Sequence, residues 1–220
     1  MFFADRIEAT LLRPDSTEEE VRRLCMAAKQ YKLAAVGAPP VWARFAVIAV
    51  AGSPVRVDVT VGYPLGTHTA SAKGLEARLA LEEGASEVTV VPNLTAYKSE
   101  RGESFRQDIA YVAKQCRLVS PDALVKVLLY IDLLDPAEQR DVARVVQKSG
   151  AHFLMLATLV PRKIQPREVD PLFQVVAPGT RLGVMGNVRT PEEASALLNL
   201  GLERLATPWG VEIVKQGRGA

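Results

Sequence analysis

The sequence predicts a (β/α)8 (TIM) barrel, on three observations. Short apolar runs alternate with amphipathic stretches along the whole chain, eight times over. One of those runs is almost unbroken in its apolar residues after a helix-stopping glycine, which is how a parallel strand buried on both faces reads. It is Ala151 to Leu159, which follows Gly150. Finally, eight units of about 25 to 30 residues fill the chain's 220 residues as one domain spanning 1–220. A doubly wound open sheet is the alternative, but it needs a switch-point crevice, and no dinucleotide fingerprint marks one.

The elements follow in order. Strand one is Ile7 to Leu12, closed by Arg13-Pro14; Asp15-Ser16-Thr17 then opens a helix whose first turn holds Glu18, Glu19 and Glu20, where the helix dipole favours carboxylates. Leu33 to Ala38 is strand two, stopped by Pro39-Pro40, and Val41 to Ala51 the next helix. Val55 to Val61 is strand three and runs into Gly62-Tyr63-Pro64-Leu65-Gly66, a loop without the spacing of a nucleotide phosphate cradle. Thr69 to Gly84 is helical, Glu87 to Val91 strand four, Glu103 to Leu118 a long amphipathic helix, and Ala123 to Ile131 strand five. A helix from Pro136 to Gly150 precedes strand six, and one from about Pro166 to Val176 precedes Pro178-Gly179 and strand seven, Arg181 to Met185. Thr190-Pro191-Glu192-Glu193 caps the following helix, Arg204 to Thr207 is strand eight, and Val211 to Gln216 the last helix.

Composition narrows the function classes. The net charge is +2 and spread along the chain, the most basic place being the short tail Lys215 to Arg218, so nucleic acid and anionic membranes are not expected partners. Cys25 and Cys116 sit in helical patterns without metal-ligand or CxxC spacing and read as buried thiols. No metal and no cofactor is expected. Asp5, Arg6 and Glu8 break the first apolar run, and no segment is long and apolar enough to span a bilayer; a cytoplasmic protein is expected.

On the barrel reading, residues at or just past strand C-termini line the mouth. Asn93, Thr158, Asn187, Arg189 and Thr207 stand there and fit a small polar ligand, though caps and loop hydrogen bonds explain them equally well. Asp58 and Asp132 are carboxylates that would serve as acid and base, or hold a metal, if they met at one mouth, and as ion-pair partners and caps if not. His68 and His152 lack a partner spacing for a metal or triad, and His152 starts a strand, so it belongs to the opposite face. Trp42 and Trp209 read as packing residues. Lys126, mid-strand between Val125 and Val127, is costly unless paired or used. Either it points into the mouth as a nucleophile or anion ligand, or it pairs with a carboxylate such as Glu8, Asp58 or Asp132.

Several stretches together resemble the deoxyribose-phosphate aldolases, class I aldolases with a (β/α)8 barrel. Thr10-Leu11-Leu12-Arg13-Pro14 resembles that family's T-L-L-K-P, and Gly62-Tyr63-Pro64-Leu65-Gly66 its G-F-P-L-G, with Lys73, Glu76 and Ala77 following. Asn93 and Lys98-Ser99, Leu124-Val125-Lys126-Val127, Gly150-Ala151-His152-Phe153 and Arg189-Thr190 fall in order at nearly the family's spacing.

The resemblance implies a Schiff-base lysine in strand six, a second lysine in strand seven that lowers its pKa, and a strand-four aspartate in a proton relay. Those positions hold Met155, Met185 and Thr89. The family's K-x-x-G-G-I-R is shortened to Met185-Gly186-Asn187-Val188-Arg189, and its T-S-S-G becomes Thr207-Pro208-Trp209-Gly210. Proline donates no N–H, and tryptophan fills space where a phosphate would sit. A class I aldolase needs an amine partly neutral near pH 7; methionine matches a lysine's length and supplies none. The family carries the counterpart of Lys126 without using it as the nucleophile. The expectation is therefore a divergent member without class I activity, a small-molecule-binding or partner protein, self-associating as a homodimer or associating with an active paralogue. The alternative is an aldehyde-lyase with its lysine relocated to Lys126.

Overall fold

Eight parallel strands close on themselves in sequence order in the computed structural model, which describes residues 3–176 and 179–217. They are β1 (Ile7–Thr10), β2 (Ala35–Ala38), β3 (Arg56–Val61), β4 (Glu87–Val90), β5 (Leu124–Tyr130), β6 (Phe153–Ala157), β7 (Arg181–Met185) and β8 (Arg204–Thr207), with β8 pairing back onto β1. Around them run α1 (Glu18–Tyr31), α2 (Ala43–Val50), α3 (Ala70–Glu82), α4 (Leu94–Lys98), α5 (Gly102–Val119), α6 (Pro136–Lys148), α7 (Pro166–Phe173), α8 (Pro191–Leu198) and α9 (Gly210–Gly217). The predicted (β/α)8 class is the observed one. Pro178, and Arg218 of the basic tail, lie outside the described residues.

The strand sequences divide between two cores. In β6, Leu154 and Leu156 face the helix layer, while Phe153, Met155 and Ala157 face the barrel interior. In β5, Val125, Val127 and Leu129 join the outer core, and Leu128 and Tyr130 the interior. Burial on both faces explains why β6 reads as an unbroken apolar run. Helix starts follow capping chemistry. Thr17 with Glu20 and Asp135 with Glu138 each form a reciprocal capping box, and Thr190 accepts from the Glu193 N–H.

Several predicted boundaries shift. Strand one ends at Thr10, before Arg13-Pro14 can bend the chain away. Strand two starts at Ala35, because the Leu33 N–H turns back to the Ala28 carbonyl to close α1. The predicted Val41–Ala51 helix is a 3-10 turn, Pro40–Trp42, running into α2. The helix predicted to Val176 ends at Phe173, with the Val175 and Val176 N–H groups closing it on the Leu172 carbonyl. The five-residue α4 was not predicted. Among the described residues no helix is long and apolar enough to cross a membrane.

Candidate functional site

The barrel interior is layered. Near the N-terminal ends of the strands, Lys126 of β5 is fully buried, with Nζ 2.5 Å from Glu8 Oε2, 2.8 Å from Glu87 Oε2 and 3.4 Å from Asp58 Oδ2. Arg204 of β8 closes the ring, 3.1 Å from Glu87 and 3.6 Å from Glu8. Parallel register brings these residues to one height: Asp58 pairs with Glu87, and Lys126 with Thr89, whose hydroxyl donates to Asp58 at 2.8 Å.

Burial alone would lower the Lys126 pKa, but Asp58, Glu8 and Glu87 together hold it above the ordinary lysine range. Burial raises Asp58 well above the usual carboxylate range; Glu8 and Glu87 add to this against the pull of Lys126 and Thr89. Glu87 is also penalised by burial, yet Lys126 and Arg204 bring it below its usual value. Lys126 is thus a protonated cation tied to carboxylates, at the end of the barrel away from the mouth.

Above this ring the interior is largely apolar. Met155 and Met185 pack with Val91, Leu128, Tyr130, Phe153, Ala157 and Ala206. Met155 is fully buried, and it pairs in register with Leu128 on one side and Gly183 on the other.

At the C-terminal ends of the strands a cavity of about 520 Å3 opens. Its floor and walls include Leu12, Leu128, Tyr130, Ala157 and Met185, and its rim Arg13, Tyr63, Thr158, Asn187, Arg189, Pro208 and Trp209. The Arg189 guanidinium lies 4.3 Å above the Trp209 ring, and its Nε donates to Asn187 Oδ1 at 2.7 Å. Burial raises the Tyr63 and Tyr130 hydroxyl pKa values, so both stay protonated.

Of the sequence-predicted mouth residues, the structure brings together Thr158, Asn187 and Arg189. Asn93 and Thr207 are not on the cavity wall. The Asn93 side chain caps α4 by accepting from Thr95 and Ala96, and the buried Thr207 hydroxyl donates to the Val188 carbonyl. Asp58 and Asp132 do not meet: Asp58 is in the ion ring, whereas Asp132 accepts from the Leu159 and Val160 N–H groups past β6. His152 lies at the strands' N-terminal side, its Nδ1 accepting from the Val125 N–H at 3.0 Å. Trp209 supports a cation besides packing. Arg13, Tyr63 and Tyr130 line the cavity without having been singled out; Tyr130 had a signal in the every-second-residue series Lys126, Leu128, Tyr130. Among the described residues no group of three or more His, Cys, Asp and Glu side chains is arranged to hold a metal ion.

No family model matches the chain. The deoxyribose-phosphate aldolase of Streptococcus sanguinis is 33% identical over 210 residues, 95% of this chain and 94% of that protein. That of Halalkalibacterium halodurans is 32% identical over 217 residues, 98% of this chain and 96% of the relative. The solved tetrameric deoxyribose phosphate aldolase of Aeropyrum pernix matches with a TM-score of 0.87 at 27% identity, over 98% of this chain and 90% of that one.

Proposed function

Because this chain belongs to the deoxyribose-phosphate aldolase family, we propose that it keeps the family's barrel and mouth but not the Schiff-base reaction, and acts as a small-molecule-binding barrel. The observation that carries this reading is the pair Met155 and Met185, packed together in the apolar interior where the resemblance places the family's two lysines. Imine formation needs a neutral amine within reach of a carbonyl, and the walls of this cavity include no lysine. Thr89, at the relay aspartate's position, hydrogen-bonds Asp58 and has no acid to offer.

The surroundings of Lys126 weigh against the relocated-lysine alternative. Its three carboxylates favour the charged form, which is not nucleophilic, and Leu128 and Met155 lie between it and the mouth.

Intact-mass spectrometry after incubation with deoxyribose 5-phosphate or acetaldehyde plus borohydride tests both readings, with an authentic aldolase as positive control. No adduct on this chain beside clear labelling of the control is the expected result. A reduced adduct overturns the proposal, and peptide mapping to Lys126 would establish the alternative. Self-association, and pairing with an active paralogue, belong to the same proposal; sedimentation of the chain alone and mixed with an aldolase from the same cell separates them.

A further inference from the structure

We propose that the mouth is a site for a small organic monocarboxylate with an apolar body, the carboxylate held end-on by Arg189 and the body seated on Leu128, Ala157 and Met185. This rests on the reading that the mouth performs no imine chemistry. It adds the class of ligand.

The first argument is charge. The other cations around the mouth are spoken for: Arg13 by Glu20 at 2.5 Å and Asp15 at 3.6 Å, Arg162 by Glu168 at 2.7 Å, Lys163 by Glu193. Arg189 lines the cavity and forms no ion pair among the described residues. The Trp209 ring lies 4.3 Å from its guanidinium carbon and its Nε is occupied by Asn187, so Nη1 and Nη2 remain as a pair of donors. That fork matches the two oxygens of a carboxylate.

The second argument is donor supply. A phosphate monoester carries nearly two charges and is held by several N–H groups, commonly those of glycine-rich turns and helix N-termini. Here several of the turn N–H groups around the mouth are already committed. The Gly186 N–H goes to the Ala206 carbonyl, Val188 to Gly186, Arg189 to Glu193 and Trp209 to Thr207. Past β6, Leu159 and Val160 donate to Asp132, and Arg162 to Thr158. Pro208 has no N–H to give. One guanidinium suits a single negative charge.

The third argument is the floor. Leu128, Ala157 and Met185 present no polar side-chain atom and belong to the apolar interior cluster. A hydroxyl set against these three side chains would find no partner there, a cost an apolar or aromatic body does not meet. A volume near 520 Å3 is within the range of small-molecule sites.

The test is titration calorimetry with 3-phenylpropionate, its neutral amide and phenyl phosphate. The carboxylate is expected to bind at millimolar concentration or below, and the amide and phenyl phosphate each about tenfold or more weaker. Arg189→Gln should weaken the carboxylate by a similar factor without changing the amide. Ala157→Phe, which fills the floor and leaves Arg189 in place, should weaken both. Equal binding of acid and amide, tighter binding of the phosphate, indifference to Arg189→Gln, or no binding of the carboxylate at millimolar concentration would each overturn the proposal. Borohydride trapping on the same preparation separates the two readings. An adduct refutes the loss of imine chemistry, whereas absence of both adduct and carboxylate binding refutes only the ligand class.

Discussion

Met155 Sδ occupies the space that the absent side chain of Gly183 leaves open: a Cβ at Gly183 would lie 2.5 Å from that sulfur and 2.8 Å from the Arg204 carbonyl oxygen. The two residues pair across β6 and β7, so a small residue on one strand admits a long one from its neighbour. Gly183→Ala is expected to destabilise the barrel by about 1–3 kcal/mol, because methionine can swing aside but the backbone carbonyl cannot. A thermal melt lower by roughly 5 °C is the corresponding shift. An unchanged melting temperature would mean that the strands separate more easily than this packing implies.

The same close packing makes Met155→Lys an informative reversal. An amine placed among Leu128, Met185 and Ala206 would be desolvated with no carboxylate beside it, which lowers a lysine's pKa toward neutrality. The variant should therefore be less stable than the parent. Unlike the parent, it should form a borohydride-reducible adduct with acetaldehyde at neutral pH. Folding without trapping would show that the interior at this height is closed to the aldehyde.

The strand order and the β7 and β8 boundaries were legible because each strand is buried on both faces and bounded by turn residues, which local sequence records. The short α4 was not: five residues after Pro92-Asn93 show no period to read. Of the groups around Lys126, Glu8 and Asp58 could be named as carboxylate partners from cost alone. Glu87 and Arg204 could not, since only barrel closure brings β4 and β8 to the same height. The mouth was partly legible for a similar reason. Strand ends are visible in sequence, but whether Asn93 turns to a cavity or to its own helix is decided by local hydrogen bonds.

Lys126→Met is expected to be costly rather than neutral. Removing the lysine leaves Glu8, Glu87 and Asp58 facing one another with Arg204 as the cation remaining at contact distance from more than one of them. Breaking a buried ion pair in this way costs about 3–5 kcal/mol. Urea unfolding at pH 7 should show the loss. A variant as stable as the parent would mean that the ring is hydrated or already neutral.

Asp58 gives the ring a pH dependence with a defined sign. Its folded pKa is raised above the unfolded value, so the protonated form is favoured by folding. The contribution is fully present below the unfolded pKa and is lost as pH rises through the folded one. Asp58→Asn keeps an uncharged side chain able to accept from Thr89 and removes that loss. The melting temperature of the variant minus that of the parent should therefore increase from pH 5 to pH 8. A difference that falls with pH would place the ring's proton elsewhere.

Asp132 fixes the rim differently, by accepting from two consecutive backbone N–H groups, Leu159 at 3.0 Å and Val160 at 3.2 Å. Its side chain is exposed, so Asp132→Ala should cost only about 1 kcal/mol in global stability. The local effect should be larger, because those two N–H groups lose their acceptors and the segment past β6 loses its anchor to the end of β5. Hydrogen exchange at Leu159 and Val160 is expected to accelerate about tenfold while the β6 amides keep their protection. Two freed donors beside a mouth that otherwise offers one guanidinium outside an ion pair should also narrow the preference for a carboxylate over phenyl phosphate. Faster exchange with no change in that preference would show that these N–H groups point away from the ligand.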